Sequence, residues 1–185
     1  MIGTELVAKA PADGYTLGFL DTAFAINPAI APSLPYDAEK DFAIMNIVGM
    51  SPTVLVVHSS VPAKTLKELI AYAHVQAGTL RALAITGSKP SPVLPNVPTF
   101  ASLGLPSVNP GSFRFLAGQA AMPPAVQQRL VAGMEKLAHI PSLATRMGEL
   151  GYEPAFIGPP GSRDYVFAEM RKWRKVMQDS AMKVN

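Results

Sequence analysis

The segment best equipped to hold a ligand is Asp21-Thr22-Ala23-Phe24-Ala25. The Thr22 hydroxyl can donate a hydrogen bond, and backbone amides exposed where a strand gives way to a loop can hold a carboxylate. Asp21 sets a condition on that chemistry, since it repels a dicarboxylate unless it is paired or meets a ligand amine. The same residues also read as an ordinary strand-to-loop cap. A second polar group, Thr86-Gly87-Ser88, follows an apolar run and either supplies backbone amides, acts as a hinge or simply turns the chain. Metal and catalytic chemistry find no support. His58, His74 and His139 lack metal-ligand spacing and a companion cysteine or carboxylate cluster. The serines form no G-x-S-x-G elbow, and the glycines form neither a P-loop nor a G-x-G-x-x-G turn. Catalysis therefore has no positive support in the residues, and an enzyme, a metal or a cofactor is not expected.

Those groups are positioned by a simple order of elements. Asp13-Gly14 marks a turn, and Tyr15 to Leu20 is apolar and aromatic enough for a strand buried on both faces. Asp21 and Thr22 thus stand at a strand's carboxyl end, where ligands collect in open α/β sheets. Before them, Ile2 to Ala10 carries a helical apolar stripe stopped by Pro11. After them, Asn27 to Pro35 holds three prolines and is expected to wander over the surface. Phe42 to Met50 and Thr53 to Val57 read as strands parted by Ser51-Pro52. Thr65 and Glu68 form a capping box for a helix from Leu66 to Gly78, and Leu80 to Thr86 is the next strand. Ser88 to Pro98 lacks periodicity. Phe113 to Ala117 reads as a short strand, followed by a helix opened by Pro123 with Val126, Leu130, Met134 and Leu137 on one face. A further helix begins at Ser142, Glu153 to Ile157 is a strand, and Gly158 to Gly161 a turn. The last helix runs from an N-cap at Ser162 to about Met182. Its Phe167, Met170, Trp173 and Met177 stripe faces a core, opposite a solvated basic face of Arg171, Lys172 and Lys175. Alternating strands and helices predict an α/β fold with a mostly parallel sheet flanked by helices, because parallel neighbours need crossover connections.

A length of 185 residues with 49% hydrophobic content predicts a single domain with a substantial core. No apolar run approaches the roughly 18 residues of a membrane span, and no secretory signal is visible at the amino terminus. The absence of cysteine excludes disulfides and thiolate chemistry. A net charge of +3 does not call for nucleic acid.

The chain resembles the extracytoplasmic solute receptors of tripartite tricarboxylate transporters, the Bug family. The resemblance rests on Gly3 to Ala10, Asp13 to Leu17, Ala25-Ile26-Asn27-Pro28, Leu34-Pro35-Tyr36-Asp37 and Lys40-Asp41-Phe42. It continues through Val61 to Leu66, Leu80 to Thr86 and Ser91 to Thr99, then Met122-Pro123-Pro124, Leu150 to Pro154 and Lys172-Trp173. It implies a fold resembling one lobe of a type II periplasmic binding protein, the Venus flytrap class. It also implies a periplasmic receptor that captures a small organic acid, a di- or tricarboxylate, for membrane transporter subunits. Within the resemblance, Asp21 to Ala25 is the ligand segment, although the family often has a histidine where this chain has Phe24. Phe113 stands where the family commonly has tryptophan, lining a cleft or serving as a core aromatic. The family is longer. This chain begins inside what resembles the family's first helix, and a second lobe is expected to be deleted near Ala73 and His74. Two other readings follow: a remnant that folds without binding, and a cytoplasmic small-molecule sensor. Loss of a first strand further predicts exposed sheet edges and self-association.

Overall fold

A computed structural model describes residues 1–31, 33–66, 68–69, 80–87, 90, 94–106 and 111–180. Where a single domain is expected, the chain groups into two compact units, Met1–Met50 with Phe113–Asn185, and Ser51–Ser112. The chain leaves the first unit after Met50 and returns to it at Phe113.

In the first unit, helix α1 (Ile2–Ala8) buries Thr4 and Val7. Val7 packs closely on strand β1 (Leu17–Asp21), its Cγ2 lying 3.0 Å from where a Cβ on Gly18 would stand. Between them the chain turns through Gly14 at φ +84°, and a Cβ there would meet Val126 Cγ1 at 2.5 Å. Only glycine satisfies both the left-handed backbone and that close approach. Helix α2 (Thr22–Ile30) follows β1 without a gap, then come β2 (Phe42–Ser51) and, after the second unit, β5 (Ser112–Gln119). Helices α3 (Pro124–Ala138) and α4 (Pro141–Glu149), strand β6 (Glu153–Ile157) and helix α5 (Gly161–Ser180) complete the unit.

The four strands lie in the order β1-β5-β2-β6. β1 pairs antiparallel with β5, from Leu17 opposite Gly118 to Asp21 opposite Arg114. β2 pairs antiparallel with β6 and slips register between Ile47 and Gly49. These pairings correct the expectation of a mostly parallel sheet. Alternating helices and strands constrain direction only when consecutive strands are neighbours. Here β1 pairs with a strand that arrives from the other unit about ninety residues later, so no crossover helix dictates its direction.

The core of this unit is aromatic. Phe24 meets Phe42 edge-on at 5.0 Å and Phe115 at 5.3 Å, and stacks on Tyr36 at 6.3 Å. Ile47, Phe113, Val166 and Met170 are all 1% exposed or less and join the same cluster. Helix α5 packs against α2, with its predicted stripe represented in the core by Met170. Ser162 is not the N-cap expected of it. Its fully buried hydroxyl instead donates to the Met45 carbonyl at 3.2 Å and ties α5 to β2.

In the second unit, β3 (Val54–His58) and β4 (Leu80–Ile85) pair antiparallel. Val57, Val61, Ala63 and Leu83 form one small core, and Leu66, Ala84 and Phe100 another. The capping box is present: the Glu68 amide donates to Thr65 Oγ1 at 3.2 Å, while the Glu68 carboxylate accepts from the Lys64 amide at 2.6 Å. That backbone donor, ahead of Thr65, holds the Glu68 carboxyl below its ordinary range. A parallel bridge joins Ile85 to Thr99, and a 3-10 turn covers Ala101–Leu103. The predicted course of the helix to Gly78, the junction at Ala73 and His74, Ser88 and the end of α5 at Met182 lie outside the described residues. Among the described residues, no helix is long and apolar enough to cross a membrane.

Candidate functional site

Asp21 ends β1 and caps α2. Its backbone is extended (φ −131°), and its side chain accepts a hydrogen bond from the Ala23 amide at 2.8 Å. The expected ligand loop is therefore a strand that runs directly into a helix. An Asp cap satisfies one of the helix's free amides and complements the positive end of its dipole, which makes an aspartate here structurally useful. Thr22 is the first helical residue, and its Oγ1 accepts from the Phe113 amide at 3.0 Å. This bond fixes the start of α2 to the start of β5, across 91 positions of sequence.

Phe24 and Ala25 turn inward, 2% and 0% exposed. Phe113 is also fully buried, its ring 5.7 Å from Phe115 and 5.3 Å from Tyr165. The side chains of Phe24, Ala25 and Phe113 are thus engaged in core packing, which corrects the expectation that Phe24 and Ala25 belong to an open loop. Burial, reinforced by the Glu169 carboxylate, raises the Tyr165 phenol above its ordinary range.

The structure adds one residue that local pattern does not pick out. Arg114 sits directly opposite Asp21 in the β1–β5 register. Its guanidinium donates to the Phe113 carbonyl at 3.2 Å and lies 5.8 Å from the centre of the Tyr152 ring. Arg114 thus places a positive charge at the register position that faces Asp21. The S-F-R-F-L sequence carries a faint signal for it: an arginine alternating with two phenylalanines that share the opposite, core-facing side of the strand. The pairing itself depends on a register that no local pattern reveals.

In the second unit, Thr86 is 1% exposed and makes two bonds with Thr53: its amide donates to the Thr53 carbonyl at 2.9 Å, and its Oγ1 accepts from the Thr53 amide at 2.6 Å. Gly87 adopts φ +111°, which suits a turn leaving β4. Ser88 lies outside the described residues. No group of three or more His, Cys, Asp or Glu that could hold a metal occurs among the described residues.

One buried polar group stands out beside these. Asn46 in β2 is fully buried, and neither amide atom finds a hydrogen-bond partner. Its Nδ2 lies 3.6 Å from where a Cβ on Gly158 would stand, so the amide sits under the Gly158-to-Gly161 turn. An unpartnered buried amide costs stability, so Asn46→Val is expected to raise the unfolding free energy by about 1–2 kcal/mol in a urea titration. A lowered midpoint would show that the amide is satisfied in solution.

Comparison with known proteins places this geometry. The family model described as "Tripartite tricarboxylate transporter family receptor" matches residues 1–75 and 71–182. Protein BugT of Bordetella pertussis is 22% identical over 251 residues, covering 100% of this chain and 77% of BugT. That stretch is longer than this chain of 185 residues, so BugT carries residues inside it that this chain lacks. Among solved structures, "R. palustris Rpa4515 with adipate" superposes with a TM-score of 0.79 at 22% identity, over 98% of this chain and 83% of that one. "MatC (Rpa3494) from Rhodopseudomonas palustris with bound malate" gives 0.76 at 20% identity, over 95% of this chain and 83% of the other. At these identities the structural likeness shows a shared fold.

Proposed function

Because this chain belongs to the tripartite tricarboxylate transporter receptor family, we propose that it is a periplasmic solute receptor. Its ligand is a small organic acid with two or three carboxylates, which it delivers to the membrane subunits of such a transporter. The observation that carries the ligand class is the fold shared with two structures described with adipate and with malate, both dicarboxylates. The segment we favour for meeting the acid is the start of α2 at Thr22, in the first unit, where Arg114 stands opposite Asp21 in the strand register. Binding of this kind needs no covalent step: affinity comes from convergent donors and from enclosure.

The competing reading, a folded remnant that does not bind, has its own support. The relatives' extra residues fall inside the matched stretch, and the two segments of the family match meet at residues 71–75. If the missing residues include ligand contacts, the acid stays partly hydrated and the remaining donors compete poorly with water.

The test is a thermal melt with and without a panel of millimolar di- and tricarboxylates. A ligand at 100 times its dissociation constant adds about 2.7 kcal/mol, enough for a visible shift. A cooperative melt raised by one acid supports the receptor and names the substrate. A cooperative melt that no acid moves supports the remnant.

A further inference from the structure

We infer that strand β6 has two registers against β2, and that moving between them carries the Tyr152 ring onto and off the Arg114 guanidinium. The inference concerns the pairing of two strands and does not rest on the ligand reading.

Strand β6 holds one residue too many for its partner. Ile47 faces Ile157 and Gly49 faces Pro154, so Val48 alone stands opposite both Ala155 and Phe156. Phe156 absorbs the bulge at φ +43°, and among the described residues no other non-glycine residue has a positive φ. A bulge that needs left-handed backbone ordinarily places glycine there, and a bulky aromatic in that region is strained. Strain of this kind persists only where the surroundings enforce it. The enforcing contacts are the Met50–Glu153 pair and the Tyr152 amide, which donates to the Met147 carbonyl at 2.9 Å.

Continuing the Ile47–Ile157 pairing without the bulge sets Phe156 opposite Val48, Ala155 opposite Gly49 and Pro154 opposite Met50. Phe156 then returns to extended backbone, and Ala155 comes opposite a residue with no side chain. Pro154 has no N–H, so the slip breaks no donor bond of its own. Ile157 keeps its place against the core throughout. Relief of strain at Phe156 thus opposes the loss of the Met50 and Tyr152 contacts, which makes the slipped register a minor state of about 1–10%.

The slip displaces the chain ahead of Pro154 by one strand step, about 3.4 Å. Gly151, at φ +77°, is the joint that takes up the change at the end of α4. Tyr152 stands between that joint and the strand, its ring centre 5.8 Å from the Arg114 guanidinium carbon. A cation–π contact reaches about 6 Å, so a displacement of one step ends it. Arg114 faces Asp21 immediately before α2, so the register of β6 decides whether the cation opposite Asp21 lies against an aromatic ring.

Nitrogen-15 relaxation dispersion of the full chain tests the inference, because a register shift exchanges in microseconds to milliseconds. The expected result is exchange at Val48, Gly49, Ala155 and Phe156, with the same rate at Arg114 Nε. Phe156→Gly removes the strain that drives the slip and should lower the slipped population about tenfold, quenching exchange at all five positions. Phe156→Ile should raise that population and move the Arg114 Nε–H resonance toward its value in Tyr152→Leu, which has no ring to shift it. A parent chain without dispersion in β6 overturns the inference, as does exchange that persists unchanged in Phe156→Gly. Quenching in β6 that leaves the Arg114 resonance and its exchange as they were overturns the link to Tyr152.

Discussion

Phe24→Ala is expected to lower the unfolding free energy by about 3–5 kcal/mol, read from the urea midpoint of the first unit. Phe24 is the hub of the aromatic cluster: it touches Tyr36, Phe42 and Phe115 and is 2% exposed. Truncation to alanine removes the apolar area and leaves a cavity walled by three rings that are themselves anchored on different elements. Those walls cannot collapse together, because Phe42 and Phe115 belong to strands of one sheet and Tyr36 to the segment that leads into it. Phe24→Leu should cost less, since most of the volume is kept. The pair of variants also separates two roles. If Phe24 acted mainly on ligand, alanine would change acid binding and leave the midpoint in place.

The position of Phe24 shows what local sequence reveals and what it hides. The turn at Asp13-Gly14, the existence of the strand that follows it and the change to polar groups at Asp21 are visible in residue types, but the strand's burial on both faces is not borne out: β1 begins only at Leu17 and ends the strand order, with Tyr15 and Phe19 exposed. The helix after them is not, because Asn27-Pro28 reads as a break. In the structure Pro28 lies in the closing turns of α2, where it removes a single ladder bond, and the Asp21 cap starts the helix at the other end. Burial of Phe24 and Ala25 against β2 and β5 then outweighs weak helix propensity, and it depends on strands that are distant in sequence. The same limit applies to strand direction. The boundaries of β2, β3 and β6 follow apolar patterns closely, but pairing β1 with β5 requires knowing that the chain returns from the second unit. Arg114 opposite Asp21 is a product of that return. By contrast the capping box at Thr65 and Glu68 is wholly local, and it appears as expected.

Helix α5 holds this arrangement in place, and Val166→Asp is expected to show it by abolishing the cooperative melt of the first unit at pH 7. Val166 is fully buried in the cluster that contains Phe24, Phe113 and Met170, and α5 packs directly on α2. A carboxylate placed there without a partner costs at least about 4 kcal/mol, a large share of a typical domain's stability. Burial raises the pKa of the introduced carboxyl above its ordinary value of about 3.9. Its folded pKa therefore exceeds its unfolded pKa, and the penalty is smallest at low pH, where both states are protonated. As pH rises past the unfolded value, the unfolded chain ionises first, and stability falls by about 1.4 kcal/mol per pH unit until the folded pKa is reached. The variant should thus lose midpoint, relative to the parent chain, between about pH 4 and pH 7. Val166→Asn, of similar shape and without a charge, should be destabilised by an amount that does not change with pH. Loss of α2's support frees the Thr22 to Phe113 bond, so acid binding should disappear with the melt and return with it at lower pH. A Val166→Asp chain that melts like the parent at pH 7 would show that α5 does not seal this core.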